Sequence, residues 1–131
     1  HAPQGEQLIK PETAKAMREM MVSVTEQGGT GVRGAVEGYD VAAKSGTAQK
    51  YTPGVGYTNN KHIALFAGFA PAQNPRVVVV VNIDEPSANG YYGGLVAGPA
   101  FQEIMAATLH VLGVAPTRPI HVAAAKPTQQ P

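Results

Sequence analysis

The chain has 131 residues, a formal net charge of +1 and 15% charged side chains. That is enough for one domain with its own core, and the absence of any Lys/Arg stripe or cluster argues against a nucleic-acid partner. Cysteine is absent, which excludes a disulfide framework and a thiolate metal site and fits an oxidising compartment. The longest apolar stretch, Val77 to Val81, is far shorter than the ~20 residues a membrane-spanning helix takes.

In chain order, the first segment, His1-Ala2-Pro3-Gln4-Gly5, is neither a signal peptide nor a start methionine, and the chain is expected to begin inside a longer protein. A helix is predicted over about 11 to 27. Pro11 suits the first helical position, Glu12 suits the positive end of the dipole, and Gly28-Gly29 stops the helix. Met17, Met20, Met21 and Val24 form one apolar stripe, read as core filler. A Gly-rich loop over 28 to 38 follows.

Three strands are expected next, at 40 to 51, 61 to 70 and 76 to 83. The link Pro71-Ala72-Gln73-Asn74-Pro75 reads as a hairpin turn, so the second and third strands should pair antiparallel. Five consecutive valines in the third predict a central strand buried on both faces. After a polar loop over 84 to 94, the spacing of Phe101, Ile104, Met105, Thr108, Leu109 and Leu112 predicts a second helix, with Pro99 near its start and Gly113 at its end. From Val114 to Pro131 the Pro/Ala/Thr/Gln composition reads as a disordered tail beyond a domain of residues 1 to 113. The fold class is therefore α+β, an antiparallel sheet covered by helices.

The run Lys44-Ser45-Gly46-Thr47-Ala48-Gln49-Lys50 carries the most chemistry: a cation, two hydroxyls and a glycine on one strand. Such a strand bordering a site lets an extended substrate lie against it. The run, entered through Gly38-Tyr39-Asp40-Val41-Ala42-Ala43, resembles the third motif of the penicillin-recognising serine acyltransferases. Further blocks follow in the order and spacing of the same family: Asn60-Lys61, Ala67-Gly68-Phe69-Ala70-Pro71, Asn74-Pro75-Arg76, Asp84-Glu85-Pro86, Tyr91-Tyr92-Gly93-Gly94 and Ala97 to Met105. From about residue 8 to 114 the chain is similar to the transpeptidase domain of class B penicillin-binding proteins, in particular the division-specific penicillin-binding protein 3 type of Gram-negative bacteria.

The resemblance implies a C-terminal portion of a penicillin-binding/β-lactamase-like transpeptidase fold and a serine-type D,D-transpeptidase that cross-links peptidoglycan stem peptides at the septum. It implies acylation by β-lactams and a place on the periplasmic face of the inner membrane beside division-complex proteins. Lys44 would hold positive potential and organise proton transfer. Ser45 and Thr47 would bond the substrate or drug carboxylate, Thr47 would give its backbone N–H to the oxyanion hole, and Gly46 would let the substrate pass. Tyr91, Tyr92 and Gly93 match a loop at the site mouth, where the two rings either wall the substrate or merely cap the sheet.

One family element is missing. The residues three beyond Ser23, Ser45 and Ser87 are Glu26, Ala48 and Gly90, so no Ser-x-x-Lys nucleophile motif occurs. Ser87-Ala88-Asn89 matches Ser-x-Asn but stands after the Lys-Ser-Gly strand instead of before it, and reads as a coincidental tripeptide. The chain by itself is expected to be inactive, with the nucleophile and base on an N-terminal remainder. A carboxypeptidase or β-lactamase of the same fold, and a non-catalytic penicillin-sensor or scaffold domain, are the rival readings. Gly29 to Gly34 formally fits Gly-x-Gly-x-x-Gly but lacks the preceding strand a dinucleotide site needs. No histidine pair has ligand spacing, so no metal or cofactor is expected.

Overall fold

In a computed structural model, residues 5–88 and 90–120 are described. Asn89 of the Ser-x-Asn tripeptide and residues 121–131 lie outside them. Helix α1 spans Pro11–Val22 and opens on proline, as the sequence predicts. It ends five residues earlier than expected. A single 3-10 turn, Ser23–Thr25, replaces its last turn, because hydroxyls compete for the carbonyls there: Ser23 Oγ donates to Met20 O (2.7 Å) and Thr25 Oγ1 to Val22 O (3.1 Å). Thr25 Oγ1 also lies 3.0 Å from Val41 O, tying the helix end to the start of the first strand.

Among the described residues the sheet has three strands in the order β1-β2-β3, with β1 at Ala42–Thr52, β2 at Gly56–Ala70 and β3 at Val77–Asp84. Both pairings are antiparallel. The second strand begins five residues before the predicted Lys61, because the turn at Pro53-Gly54 makes β1 and β2 one long hairpin. Cross-strand contacts override the weak strand propensity of Asn59 and Asn60: Tyr51 meets Tyr57 edge-on at 5.5 Å, and Gln49 bonds Asn59 at 3.0 Å.

The valine strand is not central. Strand β3 forms one edge of the sheet, and β2 lies between its neighbours. Val77, Val79, Val81 and Ile83 pack against the core, whereas Val78 and Val80 remain 71% and 63% exposed. An unbroken apolar run says that both faces tolerate apolar contact, not which face this chain covers.

The covered face carries the core. Helix α3, Gly98–Val111, lays Phe101, Met105 and Leu109 over Phe66 and Ala70, and the rings of Phe66 and Phe101 meet at 4.8 Å. The methionine stripe of α1 behaves differently from its expectation. Met17 and Met20 are about half exposed, and no residue of α1 is fully buried.

The segment after α3 departs from the predicted featureless tail over its first residues. Tyr39 donates its hydroxyl to Val114 O (2.6 Å), and the amides of Thr117 and Arg118 both reach Gly38 O at 2.8 and 2.9 Å. Arg118 then pairs with Glu26 at 3.1 Å and with Asp40. Residues 114–120 thus strap the loop that feeds β1.

Candidate functional site

Among the described residues strand β1 presents one edge without a strand partner, and its alternation decides which side chains share a surface. Ser45 stands opposite Phe66 and Thr47 opposite Ala64, so both hydroxyls sit on the face that α3 covers farther along the sheet. Lys44, opposite Ala67, points to the other face, and its Nζ donates to Ser45 O at 2.6 Å. Lys44 and Ser45 therefore do not converge as a base and a nucleophile.

A cleft of about 360 Å³ opens beside the two hydroxyls. Its second wall is the Gly-rich loop, through Thr30, Val32 and Arg33, and its third is the start of the four-residue helix α2 (Gly93–Val96), through Tyr92 to Leu95. Gly31 and Gly34 face the ring of Phe66, leaving the intervening Val32 and Arg33 exposed. Ser45 Oγ and Thr30 Oγ1 lie 3.1 Å apart. The Gly93 amide donates to Thr47 Oγ1 at 3.0 Å, which pins α2 to the strand and leaves the threonine O–H free to donate.

Two glycines make this approach possible. A Cβ on Gly93 would run into the carbonyl oxygens of Gly46 and Leu65, and one on Gly94 into the Thr30 carbonyl. Neither has a positive φ, so the requirement is space, not conformation.

Of the sequence-predicted residues, Ser45, Thr47, Tyr92 and Gly93 meet in the cleft, while Lys44 does not line it. Gly46 lies on the Lys44 face, with Leu65 as the nearest atoms to a would-be Cβ. Tyr91 does not line the cleft; it stacks on His62, ring centroids 3.9 Å apart and planes within 10°, and its ring meets that of Tyr92 at 4.7 Å. Tyr92 reaches the cleft.

Beside that stack, Lys50 lies 2.6 Å from Asp84 and 2.9 Å from Glu85, and Lys61 lies 3.6 Å from Glu85. Glu85 takes a positive φ of 49°, and its amide donates to His62 O at 2.9 Å. Hydrogen bonds to Asp84, then Glu85, raise the Lys50 pKa above the ordinary lysine value. The Lys50 hydrogen bond in turn lowers that of Glu85. This cluster ties Asp84 and Glu85, at the end of β3, to β1 and β2.

The sequence reading missed Thr30, Arg33, Gly94 and His62. The doubled Gly93-Gly94 was a signal for close backbone approach; nothing in the local sequence of Thr30, Arg33 or His62 distinguished them. Among the described residues no group of three or more His, Asp and Glu is placed to hold a metal ion. A cleft with hydroxyl donors, a cation and an open strand edge suits an extended peptide or an acyl compound bearing a carboxylate.

A family profile described as the penicillin binding protein transpeptidase domain matches residues 1–106. The chain belongs to that family. It is 62% identical over 119 residues to the probable peptidoglycan D,D-transpeptidase PenA of Neisseria flavescens, covering 91% of this chain and 30% of that protein. The protein of the same name from Neisseria meningitidis serogroup A is 60% identical over 125 residues, 95% of this chain and 21% of the relative. Among solved structures, the apo transpeptidase domain of penicillin-binding protein 3 from Burkholderia pseudomallei superposes with a TM-score of 0.80 at 46% identity, covering 89% of this chain and 35% of that domain. The fold is that of the transpeptidase domain. The chain spans less than a third of the length of these two curated relatives.

Proposed function

We propose that this chain forms the Lys-Ser-Gly-Thr wall of a peptidoglycan D,D-transpeptidase that cross-links stem peptides at the division septum on the periplasmic face of the inner membrane. The observation that carries the reading is the convergence of the Ser45 and Thr47 hydroxyls of edge strand β1 in one cleft, with α2 locked to Thr47 through Gly93. The family membership and the relatives' names support the same chemistry.

In this reading a serine outside residues 1–131, in a Ser-x-x-Lys motif, attacks the penultimate D-Ala carbonyl. The C–N bond breaks, D-Ala leaves with the serine's proton relayed to its amine, and the acyl group passes to an amine of a neighbouring strand. The Thr47 backbone N–H stabilises the developing oxyanion, a contribution of about 10²–10³ in rate for such donors. Lys44, on the far face of β1, meets the nucleophile-bearing remainder. Gly46 leaves room for the substrate backbone, and Tyr92 walls the acyl side.

The test is acylation of the full-length protein by a fluorescent penicillin, resolved on a denaturing gel. Label is expected on the full-length polypeptide and none on the isolated 131-residue chain. Thr47→Val should slow labelling, and hydrolysis of the adduct should be slow. Rapid deacylation would favour the β-lactamase-type hydrolase, and no adduct at all would refute the transpeptidase assignment.

A further inference from the structure

Arg33 was singled out neither by the Lys-Ser-Gly-Thr motif nor by its flanking blocks, yet it lines the cleft beside Ser45 and Thr47. Among the described residues it is the only charged one there, and no acidic side chain lines the same space. Its neighbours fix its direction. Gly31 and Gly34 lie against the Phe66 ring, and the bond from Gly34 N to Gly31 O (2.8 Å) closes the 3-10 turn that turns residue 33 outward. Gly98, at the start of α3, clears space beside the Arg33 Cβ.

Arg33 also borders an adjoining groove that contains Asp84 and Glu85. Both acids are already engaged by Lys50, and Glu85 by Lys61 as well. Among the described residues Arg33 has no acidic partner within 4.0 Å. Arg33, with no acidic partner among the described residues, thus lines the same cleft as hydroxyls with protons to spare. Thr47 accepts from Gly93 and keeps its O–H, and the single bond between Ser45 and Thr30 leaves one proton over. A carboxylate needs this set of donors, and a planar guanidinium suits its two oxygens.

We propose that Arg33 is a carboxylate-recognition residue of this cleft, binding the C-terminal carboxylate of a D-Ala-ending stem peptide, or the ring carboxylate of a β-lactam, together with Ser45 and Thr47. The inference rests on the transpeptidase reading and deepens it. Arg33 selects for ligands carrying the negative charge and is separate from the acyl-transfer machinery itself.

The experiment compares acylation of the full-length protein by benzylpenicillin and by its uncharged methyl ester. Arg33→Gln should slow the second-order rate constant for the acid about 10- to 100-fold, the size expected for losing a charge-assisted hydrogen bond. The ester rate should change less than about 2-fold. Arg33→Lys should recover part of the acid rate, and the acid rate of the wild type alone should fall with added salt. Equal losses for acid and ester, or no loss for either, would overturn the proposal. Should Arg33→Gln fold poorly by thermal melt, the Arg33→Lys acid-to-ester ratio and the wild-type salt dependence decide it. Failure of the wild type to form any adduct would overturn the transpeptidase reading as well, an outcome distinguishable from a normal wild type with an indifferent Arg33.

Discussion

Substituting alanine for Gly93 tests the joint between α2 and the Lys-Ser-Gly-Thr strand. The added Cβ would collide with two backbone carbonyl oxygens, those of Gly46 and Leu65, and lie 3.1 Å from Gly46 N. Backbone atoms held in a strand pairing cannot swing aside as a side chain can, so α2 must lift. Overpacking of this kind costs about 1–3 kcal/mol. Lifting also breaks the bond from Gly93 N to Thr47 Oγ1, which adds about 1 kcal/mol. A destabilisation of about 2–4 kcal/mol is expected for Gly93→Ala, read as a lower urea midpoint at unchanged slope. Gly46→Ala is the internal control. Its Cβ would meet only Leu65 side-chain atoms, the nearest at 3.4 Å, an ordinary contact, so the cost should stay below about 1 kcal/mol. Penicillin acylation of the full-length Gly93→Ala protein should slow as well, because the cleft loses its third wall. A Gly93→Ala protein as stable and as reactive as the wild type would refute the joint.

Phe66→Ala should cost about 3–5 kcal/mol by urea unfolding, since Phe66 is fully buried against Phe101 and fills the space between the Gly-rich loop and α3. Arg118→Ala should cost about 0.5–1 kcal/mol, because its pairs with Glu26 and Asp40 are partly exposed, and protection of the Tyr39 and Asp40 amides from hydrogen exchange should fall. The Lys50–Glu85 contact makes its contribution within a pH window. The lowered Glu85 value means support present above the ordinary carboxylate pKa and lost as pH falls through the depressed one. The raised Lys50 value means support present below the ordinary lysine pKa and lost as pH rises through the elevated one. Hydrogen exchange of the Glu85 amide, which donates to His62 O, should therefore speed up beyond the intrinsic pH trend at both extremes in the wild type and lose that extra dependence in Lys50→Ala.

The local patterns that the sequence carries in full were the readable ones. Pro11 at a helix start, the antiparallel pairing of the second and third strands, and the Phe101, Met105, Leu109 face of α3 depend on neighbours a few residues apart. So does the motif from Lys44 to Thr47, whose order among the flanking blocks carries the family resemblance. The end of α1 was misplaced because Thr25 answers to Val41, sixteen residues away. The valine strand was misplaced because periodicity reports the tolerance of a face, while only the packed sheet shows that α3 covers one side and leaves Val78 and Val80 open. The cleft itself was divided in the same way. The type and spacing of Ser45 and Thr47 are written in the chain, since alternation along a strand puts them on one face. Thr30 and Arg33 join them because two glycines let the loop close on Phe66, and Tyr91 stacks on His62 beside them, across contacts the local sequence does not record. Contacts between residues far apart in sequence leave no local trace, and it took the tertiary structure to turn a recognisable motif into a cleft with three walls.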